Sequence, residues 1–328
     1  MRFDVLTIGA AVRDVYVHSN AFHVTDSSVV PGKKDACFVL GRKIEVDAPV
    51  FCTGGGATNA AATFGHLGLK VAPICKIGTD ALASDVIRDL ERHGVYTHAL
   101  VRDAKTPTGY SVLLTAETGE RTAIVYRGAS ANLAQGDLPK RLDTDWVYVT
   151  SVGGNLSLVK AIFARAHASG AKTAWNPGSR ELQHGRKALA PLLSKTDVLF
   201  LNREEAVSLT KESRYDTRGI LRAMKKAVRH TFVMSDGADG SYAVNNTHAF
   251  RAFPTDAPAV NATGAGDAFG SGVISGLIHW NGDLVNSLRL GSLNAESVIG
   301  KIGAKEGLLE RLPGTRRLAA IRVEPYEI

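Results

Sequence analysis

Asn261-Ala-Thr-Gly-Ala-Gly-Asp-Ala-Phe-Gly270 sets three small residues, Gly264, Ala265 and Gly266, directly before an apolar run that reaches Ile278. That run predicts a helix over 267–278. Small residues at its start let successive backbone N–H groups converge. With the positive end of the helix dipole they make a nest suited to the charge of a transferring phosphoryl group. Asp267 stands at the same helix start. A carboxylate one residue from an anion hole can accept a proton from an attacking hydroxyl while the hole holds the developing charge. The plainer reading of these letters is a glycine-rich turn with Asp267 as helix cap.

Far upstream, Cys52-Thr-Gly-Gly-Gly-Ala-Thr-Asn-Ala-Ala61 has a related pattern. Three glycines precede Asn59 and a helix of small residues over 56–67. Backbone amides around Gly54 and Gly55, with the Asn59 side chain, can bind the hydroxyls of a polar ligand. Close packing of helix on sheet asks for the same small residues, so this segment alone leaves both readings open.

Between and around these stretches the chain alternates strands and helices. Phe3–Ile8, Val71–Ile77, Trp146–Thr150, Ala171–Trp175, Asp197–Leu201 and Thr231–Met234 read as buried strands. Asp80–His93 carries Leu82, Val86, Ile87 and Leu90 at helical spacing, with Gly94 to end it. Such alternation predicts an α/β fold with a mostly parallel central sheet covered by helices on both faces. Two regions break the rhythm. Residues 10–53 hold short extended pieces (12–17, 36–40 and 44–51), and residues 96–127 hold two alternating runs joined by a turn at 117–120. These predict a small β lid inserted into one main domain spanning 1–328, since no repeat and no Pro/Gly-rich linker divides the chain.

Composition narrows the class. With 328 residues, 45% of them hydrophobic and 22% charged, the chain can bury a large core without disulfide or metal staples. Its 39 basic and 32 acidic residues leave a net charge of +7, but the basic residues are spread along the chain. An anionic ligand fits that pattern; a nucleic-acid footprint does not. No apolar run is long enough to cross a membrane and no signal peptide is visible. Three cysteines without C-x-x-C spacing suit free thiols in a cytoplasmic protein. P-loop, G-x-G-x-x-G, H-E-x-x-H and G-x-S-x-G patterns are all missing, which argues against P-loop, dinucleotide, zincin and serine-hydrolase chemistry.

The two glycine-rich stretches, taken together and in this order, resemble the two signatures of the ribokinase-like (pfkB) kinase family of sugar, nucleoside and phosphosugar kinases. Other elements fall in family order. Asp14 follows Gly9 by five residues, Asn202-Arg-Glu-Glu205 closes a strand, Ser235-Asp-Gly-Ala-Asp-Gly240 makes a glycine turn, and small residues surround Asn294 and Gly303-Ala304. The resemblance implies a ribokinase-like fold and an ATP-dependent transfer of the γ-phosphate to a primary hydroxyl. It implies Asp267 as base, with Gly264, Ala265 and Gly266 as anion hole. Asp14, Gly54, Gly55 and Asn59 would bind the acceptor, a sugar or nucleoside. Asn202, Glu205, Ser235, Gly237, Gly240 and Asn294 would serve the nucleotide, Glu205 acting on Mg²⁺ through water.

Departures from the family pattern bear on the substrate and on ions. Asn261 stands where many members have Asp; in ribokinase-type members that carboxylate helps hold a monovalent cation, so potassium activation is in question. Gly56 and Val12 replace a Lys and an Asn that ribokinase itself carries, so ribose is not assured. Phe38, Phe51, Tyr110 and Tyr126 are available to stack on a base, and Arg13, Arg42, Arg121 and Arg127 to bind a phosphosugar. Arg13, next to Asp14 on an extended segment, points to the opposite side. A phosphosugar kinase and a non-catalytic nucleotide- or sugar-binding member are the alternatives; retention of Asp267 speaks against the second. An exposed apolar lid would favour a homodimer through it.

Overall fold

The computed structural model describes the chain apart from residues 31, 33 and 117–120 and the side chain of Arg121. The turn expected at 117–120 and the Arg121 guanidinium therefore lie outside the described residues. In the first half, two sheets are interleaved. Strand β1 (Phe3–Ile8) belongs to the large one, and β2 (Val12–His18) leaves it for the small one. An antiparallel pair, β3 (His23–Asp26) and β4 (Lys34–Cys37), precedes β5 (Val50–Gly54), which returns beside β2 and runs straight into helix α1 (Gly56–His66). Strand β6 (Val71–Ile74) rejoins the large sheet. Short β7 (Lys76–Ile77) and β8 (Val101–Arg102) pair across helix α2 (Ala81–Arg92), and β9 (Gly109–Thr115) with β10 (Arg121–Tyr126) completes the small sheet.

The second half is a run of strand–helix units: β11 (Thr144–Val149), α3 (Leu156–Ala168), β12 (Lys172–Trp175), α4 (Ser179–Leu182), α5 (Gly185–Leu193), β13 (Val198–Asn202), α6 (Arg203–Thr210), α7 (Thr217–Ala227) and β14 (Thr231–Ser235). Then come β15 (Ser241–Val244), β16 (Ala249–Phe253), α8 (Ala265–His279), α9 (Leu284–Ile299), α10 (Thr315–Leu318) and β17 (Arg322–Pro325). The large sheet has the order β17-β16-β15-β14-β13-β12-β11-β1-β6. From β6 to β14 every pairing is parallel, and β15 to β17 extend the sheet antiparallel.

Alternation along the central strands explains why both faces are covered. In β11 and β13, Val147, Val149, Leu199 and Leu201 enter one apolar cluster, while Trp146, Tyr148, Val198 and Phe200 enter the other. Helices α3, α5, α6 and α7 cover the first face through Leu158, Leu189, Leu209 and Ile220. Helices α1, α2, α8 and α9 cover the second through Ala57, Val86, Phe269 and Leu288. A strand buried on both sides needs apolar residues at odd and even positions alike, as these have. The α/β architecture expected from the sequence, with its mostly parallel sheet and a second small sheet, is the one found.

Three expected strands differ: the piece expected at 36–40 is β4, which runs Lys34–Cys37 and ends before Phe38. Residues 71–77 are not one strand: β6 ends at Ile74, and Cys75 turns the chain so that its carbonyl takes the Val101 N–H at 2.8 Å and β7 can pair with β8. The piece expected at 44–51 is regular only from Val50. Before that, the Asp47 N–H bonds the His18 carbonyl at 3.0 Å and its carboxylate meets His18 Nδ1 at 2.6 Å, which fixes the approach to β5 without a ladder. Among the described residues no helix is long and apolar enough to cross a membrane.

Candidate active site

Carboxyl ends of parallel strands are where open α/β sheets leave a crevice, and here two helix starts meet over it. Helix α8 begins at Gly264, whose φ of 80° is the left-handed turn a residue without Cβ adopts readily. The Ala268 N–H is the first to close an intrahelical bond, reaching the Gly264 carbonyl at 2.8 Å. The N–H groups of Gly266 and Asp267 precede it and are left at the helix mouth. A β-carbon built on Gly266 meets nothing within 4 Å. Asp267 is not the helix cap of the plainer reading. That place belongs to Gly264, and the carboxylate accepts a 2.8 Å hydrogen bond from Asn59 Nδ2 on α1.

Asn59 reaches Asp267 because the first glycine stretch packs without side chains. A Cβ on Gly54 would lie 2.0 Å from Asp14 Oδ2, and one on Gly55 would lie 2.3 Å from the Ala10 carbonyl oxygen. The small residues of α1 are buried from Ala57 to Phe64. Asp14, on β2, is only 7% exposed and is hydrogen-bonded by the Ser111 side chain from β9. Burial raises its carboxyl above the usual range, with Ser111 and the Lys305 charge opposing. Asp267 is also raised by burial, against the Asn59 hydrogen bond and the Lys305 charge. The oxygen of the Asn59 amide, Oδ1, is buried and has no partner among the described residues. Such an orphan acceptor is expensive unless a ligand hydroxyl meets it.

On the other side of Asp267 lies a cavity of about 220 Å³, walled by Asn176, Asn202, Glu205, Ser235, Gly264 and Gly266 among others. Asn202 and Glu205 form a capping box at the start of α6. Asn202 Oδ1 accepts from the Glu205 N–H at 2.8 Å, and Glu205 Oε2 accepts from the Asn202 N–H at 2.9 Å. Thus the helix-cap reading and the cavity reading hold together for these two residues. Burial raises the Glu205 carboxyl, with the Asn202 N–H opposing. A larger cavity of about 810 Å³ shares Ser235, Gly266 and Phe269 with the first and continues along Gly237, Gly240, Ala259, Ala295 and Ile299. The glycine turn at 237–240 is both the β14–β15 connection and part of this wall.

Two sequence expectations shift. Asn294, expected in the nucleotide pocket, faces the core. Its Nδ2 donates to Thr63 Oγ1 at 3.2 Å and the Ala268 carbonyl at 2.9 Å, and its Oδ1 accepts the Leu309 N–H at 3.1 Å. A buried amide with all of these partners has little left for a ligand, and its neighbours Ser292, Ala295 and Glu296 line the cavity instead. Gly303-Ala304, expected at the same pocket, packs beneath the start of α8: a Cβ on Gly264 would come within 2.5 Å of the Ala304 β-carbon. Arg13 turns away from Asp14 as extended backbone requires. It pairs with Asp85 at 3.3 Å and lies over the Phe51 ring, in a separate cavity of about 710 Å³. Lys305, part of that cavity's wall, was not singled out from sequence; only its distant partners Thr53 and Asp89 give it meaning.

Comparison with known proteins identifies the family. A sugar kinase of Archaeoglobus fulgidus, uncharacterized, is 28% identical over 250 residues, covering 74% of this chain and 96% of that one. An ATP-dependent ribose-1-phosphate kinase of Halopiger xanaduensis is 27% identical over 260 residues, covering 77% and 82%. In three dimensions the chain is similar to a nucleoside kinase of Methanocaldococcus jannaschii described as an archaeal member of the ribokinase family. The TM-score is 0.79 at 18% identity, over 97% of this chain and 99% of that one. Residues 30–311 match the family described as pfkB family carbohydrate kinase, and with both glycine junctions inside that span, this chain belongs to the pfkB family of kinases.

Proposed function

We propose that this kinase transfers the γ-phosphate of ATP to a primary hydroxyl of a sugar or nucleoside, with Asp267 as general base. The observation that carries the reading is the Asn59–Asp267 hydrogen bond, which puts a carboxylate between an acceptor-side loop and an open helix N-terminus. Asp267 would take the hydroxyl proton, and the amides of Gly264 and Gly266 would stabilise charge on the transferring group; the Ala265 N–H, expected to join them, is turned to the Ala262 carbonyl at 3.3 Å. Asp14, the Gly54-Gly55 backbone and the orphan Asn59 Oδ1 suit the remaining acceptor hydroxyls. Ser235, Gly237 and Gly240 suit the nucleotide. The small sheet would act as a lid that keeps water from the transferring phosphate.

Mg²⁺ fits the donor set. Glu205 and Asn202 offer oxygen at the cavity, and no group of three His, Cys, Asp or Glu side chains able to hold a metal occurs among the described residues. A cation held by one carboxylate, its own waters and substrate phosphates needs no more. Glu205 would hold it through water, and the ion when bound would neutralise phosphate charge. Exposed Phe38, Val39, Leu40, Ile124, Val125 and Tyr126 all belong to the two segments that build the small sheet, and they favour a homodimer through it. A phosphosugar acceptor gains no support from Arg13, which is spent on Asp85 and Phe51.

A coupled ADP-release screen across pentoses, hexoses, nucleosides and their monophosphates tests the reading. Release that depends on an added unphosphorylated sugar or nucleoside is expected. Release only with monophosphates would move the assignment to a phosphosugar kinase. Nucleotide binding without release on any acceptor would leave a non-catalytic binder.

A further inference from the structure

Among the described residues Lys305 is the only lysine or arginine that is buried, at 5% exposure. An ammonium has three N–H donors, and Lys305 Nζ finds three acceptors: the Thr53 carbonyl at 3.2 Å, the Thr53 hydroxyl, and Asp89 Oδ2 at 3.0 Å. The Thr53 hydroxyl in turn donates to Asp89. Thr53 is the residue before Gly54, so this ammonium grips the backbone that leads into the acceptor-side loop. Its own chain neighbours grip the other half of the site. Ala304 lies under Gly264, and a Cβ on Gly303 would approach Cys52 Sγ to 3.0 Å. Downstream, Ser297 Oγ bonds the Gly307 carbonyl and Asn294 holds the Leu309 N–H, so the segment is fixed to α9.

We propose that Lys305 is a positioning residue for phosphoryl transfer: its buried ion pair with Asp89, closed over Thr53, locks the Gly54–Asn59 junction of β5 and α1 to the 303–306 segment that supports the anion hole. The two glycine junctions come from opposite ends of the chain, and this segment touches both. The charge also favours the ionised forms of Asp14 and Asp267, both of them raised by burial. Asp89 is held the other way. Burial pushes it up, but hydrogen bonds from His93 and Thr53 and the Lys305 charge keep it well below the usual carboxylate range. Arg92, whose Nη2 meets Asp89 Oδ1 at 2.5 Å from the exposed side, does not reach the loop.

The proposal rests on the kinase reading for its effect on rate, but its mechanical part can be measured without an acceptor. Hydrogen exchange of backbone amides in the free protein is compared for wild type, Lys305→Arg, Lys305→Met, the charge-neutral pair Asp89→Asn/Lys305→Met, and Arg92→Ala. Exchange at 54–59 and 264–267 is expected to quicken by about tenfold or more in both Lys305→Met forms while core strands β11 and β13 keep wild-type protection. Arg92→Ala is expected to stay near wild type and Lys305→Arg to fall between. In the ADP-release assay the Lys305→Met forms are expected to lose about tenfold in kcat with the KM for ATP little changed, and Lys305→Arg to recover part of it. The paired substitution avoids an unpaired buried Asp89 and serves if the single one does not fold. Wild-type exchange at 54–59 in folded Lys305→Met protein overturns the proposal, as does wild-type kcat. A wild-type enzyme that releases no ADP with any acceptor sinks the kinase reading instead, and the exchange result still decides the lock.

Discussion

At the start of α1, Gly55 has φ = 100° and a Cβ there would strike the Ala10 carbonyl at 2.3 Å; Gly54 and Gly56 are pressed likewise against Asp14 and Thr150. At the start of α8, Gly264 has φ = 80° and presses on Ala304, but two residues later Gly266 has nothing within 4 Å and borders both cavities. In the first junction glycine makes room for protein; in the second it also makes room for something that is not protein. Asn59 and Asp267 both stand in the first turn or just past it, the fourth residue of α1 and the third of α8, and the bond between them is where the two uses meet. Similar letters therefore predict opposite responses to substitution.

Removing the charge at the second junction is expected to have the largest effect. Asp267→Asn keeps the size of the side chain but loses the base, and kcat is expected to fall about 10²–10⁴-fold while ATP-analogue affinity by calorimetry survives. A variant with near-normal turnover ends the assignment of Asp267 as base. Protonation should act in the same direction. A carboxylate base works only when ionised, and burial raises the Asp267 pKa, so kcat/KM is expected to fall on the acid side at a pH above the ~3.9 of an ordinary Asp. A pH–rate profile flat down to pH 4 contradicts this.

Next come the glycines themselves, which test the contrast directly. Gly55→Ala must hold a side chain in a backbone region that costs about 1–3 kcal/mol and push against Ala10, adding about 1–3 kcal/mol of overpacking. Its Tm is expected to drop by about 5 °C or more. Gly266→Ala meets no atom and improves a helical position, so Tm should hold or rise slightly, by about 0.5–1 kcal/mol of stability at most. The methyl group points into ligand space, and the KM for ATP should rise instead. Equal loss of Tm in both variants would erase the difference between the junctions.

Much of this was readable in advance, for a physical reason. Strands such as β13 and helices such as α2 declare themselves by local periodicity: Asp80 caps α2 through the Ala83 N–H at 3.0 Å, and Gly94 takes φ = 73° after its end, as its position in the sequence suggests. Glycine stretches ahead of small-residue helices mark close approach of backbone wherever they occur. What cannot be read locally is which partner does the approaching. Lys305 lies 252 residues from Thr53 and 216 from Asp89, so nothing near it in sequence distinguishes it from a surface lysine. Asn294 shows the reverse error. Its place among small residues of α9 suggested a pocket, but side-chain direction on a helix turns it toward Thr63 and Ala268, one position away from residues that do line the cavity.

The smallest expected effect concerns the approach to the second junction. In ribokinase-like enzymes a carboxylate at this place helps to hold a monovalent cation, and this chain has the neutral Asn261. Its side-chain oxygen accepts the Thr263 N–H at 2.8 Å, and the Val260 and Asn261 N–H groups both reach the Ile299 carbonyl, at 2.7 and 2.9 Å. The bend into α8 is thus held by protein hydrogen bonds. An amide in place of a carboxylate also weakens any claim on a cation, because an ion's charge is the dominant local term where it binds. Replacing potassium by tetramethylammonium at constant ionic strength should change kcat by no more than about twofold. Asn261→Asp restores the missing charge and is expected to make the rate rise with potassium. A wild-type enzyme that needs potassium for turnover would mean that this junction depends on a bound ion for its shape, whereas the glycines of the first junction are packed against protein atoms.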